Sequence, residues 1–301
     1  MDVAITGSSG LIGTALAASL RGAGHQVRRV VRSGGGAGDV RWDPAAGTID
    51  GHGLDGVDGV VHLAGESIGA KRWTEARKER ILRSRVDGTT LIARTVAALE
   101  PRPGVLLGSS GISVYGDRGG DVVTEETSRG KGFLPDVVEA WESATTPASE
   151  SGIRVAHLRT AVVLDAHGGA LAKQLPLFKL GLGGRLGSGR QWFPWISLDD
   201  QVGAITHLLT SQVAGPVNLV APEPVTNARF TEVLAEVLGR PAKLPIPRFA
   251  PGLLLGRQLA EELLYWSVRA LPTVLEGDGY RFGHPTLEGA LRSLLQRPSA
   301  A

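Results

Sequence analysis

Cysteine is absent from this chain of 301 residues, methionine occurs once, and aromatic residues make up only 5%. Without a thiol there is no disulfide scaffold, no thiolate nucleophile and no Cys-ligated zinc or iron–sulfur site. His25, His52, His62, His157, His167, His207 and His284 are too dispersed for a metal-ligand spacing, so no metal is expected. Long apolar runs are missing as well: no stretch reaches the roughly 18 uncharged residues that a membrane span requires. The opening Met1-Asp2-Val3-Ala4-Ile5-Thr6 has no basic segment ahead of an apolar run, which argues against a secretory signal. A soluble, cytoplasmic protein that contacts no membrane is the expectation. Charge of one sign is lacking too, since 32 basic residues face 30 acidic ones for a net charge of +2. The densest basic run (Lys71, Arg72, Arg77, Lys78, Arg80, Arg83, Arg85) also holds Glu75 and Glu79, and reads as the wet face of a helix. No aromatic stacking platform accompanies it, so nucleic acid is not an expected partner.

What the chain does have is 42 glycines without a period and 42% hydrophobic residues, enough for a sizeable core. Through the first 160 or so positions, short β-rich runs (residues 3–6, 26–31, 60–63, 105–109 and 154–158) alternate with helical patterns (11–23, 85–99 and 136–151). Strands separated by helices predict a doubly wound parallel sheet. A hairpin at 40–42 and 48–50 interrupts the order, and residues 33–38 read as a loop. After Leu164 the texture is less regular. Helices are expected at 170–179, 230–238, 253–268 and 287–295, with another running to Thr210 behind the candidate caps Asp199 and Asp200. Asn227 is the candidate cap for 230–238, 216–220 reads as a strand, and 181–189 is too rich in glycine to be regular. The reading is α/β: a nucleotide-binding domain over residues 1–166, to which 197–222 returns, and a smaller irregular lobe over 167–301, with a cleft between them.

Between the first strand and the first helix stands Thr6-Gly7-Ser8-Ser9-Gly10-Leu11-Ile12-Gly13. Gly7, Gly10 and Gly13 have the spacing that permits a tight turn, close approach of backbone to a diphosphate, and close helix–strand packing. Ser9, Leu11 and Ile12 complete a loop whose amides, at a helix N-terminus, bind phosphate. The second strand then chooses the dinucleotide. An NAD site wants an Asp or Glu there for the ribose 2′-hydroxyl, whereas this strand ends Val31-Arg32-Ser33. A guanidinium suits a 2′-phosphate, so NADP is the expected cofactor, with Arg32 and Ser33 at its adenosine end.

Together with the glycine loop, Val61-His62-Leu63-Ala64-Gly65 and Val114-Tyr115-Gly116 resemble the extended short-chain dehydrogenase/reductase superfamily, the relatives of nucleoside-diphosphate-sugar epimerases. More narrowly, Leu63-Ala-Gly-Glu-Ser-Ile68, Arg72-Trp73-Thr74, Ser84-Arg85-Val86, residues 159–164, Gly187-Ser-Gly-Arg-Gln191, Trp195-Ile196 and Gly215-Pro-Val-Asn218 resemble a bacterial and organellar group of epimerase family proteins. Tyr280-Arg-Phe-Gly-His-Pro-Thr286 is similar to the C-terminal domain of unknown function attached to that group. The resemblance spans nearly the whole chain and implies a Rossmann fold, bound NADP(H) and a small C-terminal lobe.

In that superfamily, alcohol oxidation relies on a Tyr and a Lys four residues apart on one helix, with a Ser or Thr beside them. Counting back from Glu142 puts the Tyr position on Leu134 and the Lys position on Val138, and counting back from Tyr115 puts the hydroxyl position on Gly111. The usual proton relay is therefore missing. Ser110 and Tyr115 are the candidate proton carriers in its place. Alternatively the serines bond cofactor amides and Tyr115 packs under its loop. Leu63, Ala64, Gly65, Glu66 and Ser109 are expected beside the cofactor; Glu66 is either a base or a helix cap. Arg159 meets phosphate or an anionic substrate, or forms a structural ion pair, and Glu142 on its half-buried helix reads as structural. Beyond Leu164, Arg190 and Trp192 offer a guanidinium and a flat wall to an anionic, partly planar small molecule, while Trp195 is expected in the core. Two functions remain open: an NADP(H)-dependent oxidoreductase or epimerase-like enzyme with a nonstandard acid–base set, possible as a homodimer, or a nucleotide-loaded regulatory protein without catalysis, in keeping with division-linked relatives.

Overall fold

The computed structural model describes residues 1–36, 38–242 and 244–296. The chain opens with β1 (Asp2–Thr6), α1 (Leu11–Gly22), β2 (Gln26–Val31), β3 (Val40–Asp43), β4 (Thr48–Ile49), β5 (Gly59–His62), α2 (Glu75–Ala97) and β6 (Val105–Gly111). It continues through β7 (Val122–Val123), α3 (Phe133–Ser143), α4 (Thr146–Glu150), β8 (Arg154–Thr160) and β9 (Val162–Leu164). Then come α5 (Gly169–Lys179), β10 (Trp192–Phe193), β11 (Trp195–Ser197), α6 (Leu198–Thr210), β12 (Gly215–Leu219), β13 (Val225–Thr226) and α7 (Asn227–Leu238). The last part holds α8 (Phe249–Leu255), α9 (Arg257–Ala260), a single π-helical turn (Glu261–Tyr265), β14 (Arg269–Ala270), α10 (Thr273–Gly277) and α11 (Leu287–Gln296).

Eight strands form the main sheet in the order β12-β8-β6-β5-β1-β2-β3-β4. All neighbours are parallel except β3 and β4, which make the expected hairpin. The central strands are apolar runs because helices cover both faces. Alternation assigns the faces: Val3, Ile5, Val61, Leu107 and Leu158 join Leu16, Leu20, Ile205 and Leu208 of α1 and α6. Ala4, Val60, Leu106 and Val155 point the other way, onto Ile92 and Val96 of α2. A third cluster gathers Trp195, Phe230, Leu234 and Leu291 beneath α5, α7 and α11. Trp195 is fully buried as expected, although its strand pairs with β9 and stays outside the main sheet.

Several boundaries differ from expectation for local reasons. Helix α2 begins at Glu75, not Arg85, because the Thr74 hydroxyl accepts from the amide of Arg77 at 3.2 Å and starts the helix inside the charged run. The pattern at 136–151 splits into α3 and α4 at Thr145, whose hydroxyl donates to the carbonyl of Glu142 at 2.7 Å. The expected helix at 253–268 breaks at Gly256, where φ is +89°, and becomes extended at Trp266. Ser197 and Thr226 cap α6 and α7, one residue or more ahead of Asp199, Asp200 and Asn227. Of the expected loop at 33–38, residue 37 lies outside the described residues. No helix among the described residues is long and apolar enough to cross a membrane.

Candidate cofactor and substrate site

Strand order reverses between β1 and β5: one runs on to β2 and β3, the other to β6 and β8. The carboxyl ends of β1 and β5 therefore flank the crevice where doubly wound sheets take nucleotides. Gly7 leaves β1 with φ +65°, and a Cβ there would stand 2.8 Å from the Leu63 carbonyl that follows β5. A Cβ on Gly13 would come within 2.3 Å of the Gly7 oxygen. Gly10 caps α1 with no side chain, its amide bonded to the Gly7 carbonyl at 3.0 Å. The first-turn amides of Leu11, Ile12 and Gly13 have no carbonyl within the helix to take them. Ser9 is exposed at the mouth of the loop. Backbone this bare and this tightly folded is what a diphosphate needs.

Three arginines lie near the far end of β2, and their partners separate them. Arg28 bonds Asp2 and the Gly53 carbonyl, and Arg29 forms a two-point pair with Asp39 at 3.0 and 2.6 Å. Arg32, exposed beside exposed Ser33, makes no hydrogen bond or ion pair among the described residues. Val31 precedes it, and no carboxylate occupies the strand end.

Across the crevice, the Thr6 hydroxyl ties the two strand ends together. It accepts from the amides of Leu63 and Ala64 at 3.1 Å each and lies 2.8 Å from His62 Nδ1. With both lone pairs engaged the hydroxyl donates to Nδ1, which leaves the imidazole proton on Nε2, a buried atom without a partner among the described residues. Burial lowers the His62 pKa to about 4, so it is neutral. His62 is thus a core residue, edge-on to Trp42 with ring centroids 5.9 Å apart. Gly65 beyond it is exposed. The Glu66 carboxylate pairs with buried Arg77, so neither the free base nor the helix cap expected of it is realised.

At the end of β6, the two serines part company. Ser110 is buried and donates to Glu142 Oε1 at 2.5 Å. Arg159 grips the same carboxylate with two bonds of 2.9 Å. Burial would raise the Glu142 pKa, but Arg159 and Ser110 hold it below the usual carboxylate range. Arg159 is therefore the structural ion pair, and its remaining nitrogen reaches the Tyr115 hydroxyl at 3.0 Å. Tyr115 is fully buried, donates to Asn218 Oδ1 at 2.8 Å, and has its phenol pushed up by burial. The packed side chain, not the proton carrier, is what the fold makes of Tyr115, and the Ser110 proton is committed inward. Ser109, half-buried, keeps a hydroxyl with no protein partner among the described residues. Leu134 and Val138 on α3 are both buried and apolar.

One nearby group escaped the sequence reading. Glu262, in the π-helical turn, is buried and accepts from the Leu134 amide at 3.0 Å and from Gln258 at 2.9 Å. It reaches the first turn of α3 from the far end of the chain, and only its place in the apolar pattern at 253–268 could have marked it. The same segment closes a cavity of about 380 Å³ that brings Arg190 and Trp192 together with Ser188, Arg248, Tyr265 and Asp117. The Arg190 guanidinium is exposed and has no partner among the described residues, while Arg269 lies 4.5 Å above the Trp192 ring.

Residues 3–136 match the NAD dependent epimerase/dehydratase family, and residues 246–294 match a domain of unknown function, DUF1731. Over 298 residues the chain is 43% identical to the epimerase family protein Mb2239 of Mycobacterium bovis, covering 98% of each. It is 32% identical over 302 residues to the epimerase family protein YfhF of Bacillus subtilis, again covering 98% of each. Among solved structures, the human epimerase family protein SDR39U1 (isoform 2) with NADPH superposes with a TM-score of 0.91 at 34% identity, covering 99% of this chain and 100% of that one. The glycine loop at the switch point, the cleft under a C-terminal segment and these full-length likenesses have one reading: the chain belongs to the epimerase family proteins.

Proposed function

We propose that this protein is an NADP(H)-dependent oxidoreductase or epimerase-like enzyme that acts on a small anionic carbonyl or hydroxyl substrate without the usual Tyr-x-x-x-Lys pair. The observation that carries the cofactor choice is Arg32, free and exposed where Arg28 and Arg29 are spent on Asp2 and Asp39. The NADPH bound in the human relative supports the same choice. Amides at the start of α1 bind the diphosphate, and Arg32 with Ser33 takes the 2′-phosphate. When bound, the nicotinamide supplies or accepts the hydride. Ser109 offers the unspent hydroxyl at the end of β6, while Ser110, Glu142 and Arg159 hold β6, α3 and β8 together beneath it. Arg190 and Trp192 bind the anionic and flat parts of the substrate in the 380 Å³ cavity. Residues 1–166 with 197–222 act as the cofactor domain and the rest of 167–301 as the substrate lobe.

Calorimetry with NADPH and NADH tests the cofactor assignment. Replacing Arg32→Ala removes a charge-assisted contact of about 1.5–3 kcal/mol. NADPH affinity should fall roughly ten- to a hundredfold while NADH affinity stays as it was; equal losses would overturn the choice. NADPH oxidation across a broad carbonyl panel tests the enzymatic part, and a panel without turnover would refute it.

A further inference from the structure

Strand β6 ends at Gly111 and passes into a 3-10 turn over Ile112–Tyr115. The turn is pinned at several points. Ile112, Val114 and Tyr115 are buried, and the Tyr115 hydroxyl is held by Asn218 and Arg159. The Gly116 amide donates to the Ser113 carbonyl at 3.1 Å, and the Gly130 amide to the Val114 carbonyl at 2.8 Å. Ser113 itself is only half-buried, and its hydroxyl makes no hydrogen bond among the described residues. Gly111 makes room for it. A Cβ on residue 111 would stand 3.2 Å from Ser113 Oγ and 3.6 Å from Val138 Cγ2. The space that a side chain there would enter therefore belongs to the Ser113 hydroxyl. With φ −142° and ψ 142° the Gly111 backbone is ordinary extended chain, so this contact, not the backbone, is what favours glycine.

The neighbours of this hydroxyl say what it serves. Ser110 and Tyr115 are committed to Glu142 and Asn218, and the facing helix α3 contributes buried, apolar Leu134 and Val138. Ser109 is free as well, but it lies within the sheet, opposite Leu158 of β8, whereas Ser113 lies past Gly111, the last paired residue. Behind Ser113 is the carboxyl end of β6, next to β5 at the crevice. Ahead of it the chain runs on to Asp117, Gly119 and Gly120, which line the 380 Å³ cavity. We propose that Ser113 is a catalytic residue that touches the substrate, its hydroxyl hydrogen-bonded to the reacting carbonyl or alcohol oxygen. A hydroxyl donates to a carbonyl and accepts from an alcohol, so one side chain fits both forms. Ser113 keeps its own proton. A donor held on a rigid turn counts for more as negative charge develops on the oxygen it faces. This rests on the enzymatic reading above and adds to it the group that holds the reacting oxygen.

Steady-state kinetics of the full chain with NADPH and the most rapidly reduced member of the carbonyl panel tests this, beside calorimetry of the same variants with NADPH alone. Ser113→Ala should lower kcat about ten- to a hundredfold and change KM less, because the bond strengthens as the oxygen gains charge. Its NADPH affinity should stay within about twofold of the wild type, since the lost hydroxyl serves the substrate. Ser113→Thr keeps a hydroxyl and should recover most of the lost kcat. Full kcat in folded Ser113→Ala, a loss that Ser113→Thr does not reduce, or an equal loss of NADPH affinity overturns the inference while leaving the enzymatic reading intact. Wild-type protein that reduces no carbonyl of the panel overturns the enzymatic reading and this inference with it.

Discussion

His62 shows how much a single buried ring weighs at the residue scale. Folded, its pKa is about 4; unfolded, it returns to the ordinary value near 6.5. Between those values the unfolded chain binds the extra proton, so stability rises with pH across the window and is lost as pH falls from about 6.5 to 4. The shift corresponds to about 3 kcal/mol. Urea unfolding midpoints taken over that range should therefore fall steeply in the wild type. His62→Gln keeps an acceptor for the Thr6 hydroxyl and should flatten that part of the curve; an unchanged slope would place the acid sensitivity elsewhere. Glu142 acts in the same direction at more acidic pH. Held below its ordinary pKa, it stabilises the fold above the unfolded carboxylate range, and that contribution disappears as pH falls through its folded pKa.

At the scale of elements, the caps decide where helices begin. The Thr226 hydroxyl accepts from the Arg229 amide at 3.3 Å and starts α7, whereas the Asn227 side chain accepts from the Leu186 amide at 2.7 Å. Thr226→Ala should cost about 1 kcal/mol of stability, largely recovered by Thr226→Ser, with both read from thermal or denaturant midpoints. Asn227→Ala acts on a different element. It frees the Leu186 amide in the 181–189 loop, so its effect should appear in the cavity shared by Arg190 and Trp192. The strands were legible in advance because apolar alternation and parallel burial leave a strong local pattern. Caps and breaks were less so. Several polar residues near each helix start satisfy the same rule, and the backbone geometry that picks one is set by the element before it.

At the scale of the whole molecule, Glu262 fastens the C-terminal segment onto α3. Its Oε2 takes the Leu134 amide, a donor in the first turn of that helix, and Trp266 packs close against Gly132 behind it. Glu262→Ala leaves a buried amide unsatisfied and should cost about 1–3 kcal/mol. Glu262→Gln keeps an oxygen for the same bond and should cost much less. Limited proteolysis after Gly256 would reveal the difference, and equal resistance of both variants would show that the clasp holds nothing. The sequence by itself determined the α/β alternation, the glycine turn at 7–13 and the lack of a ribose carboxylate after β2, because each is a property of adjacent residues. Tertiary structure decided which charges are spent. Asp2, Asp39, Glu66 and Glu142 neutralise Arg28, Arg29, Arg77 and Arg159 from other parts of the chain, while Arg32 is left without a protein partner among the described residues. Such pairings join parts of the chain that meet only when the sheet is assembled, and no local pattern records them.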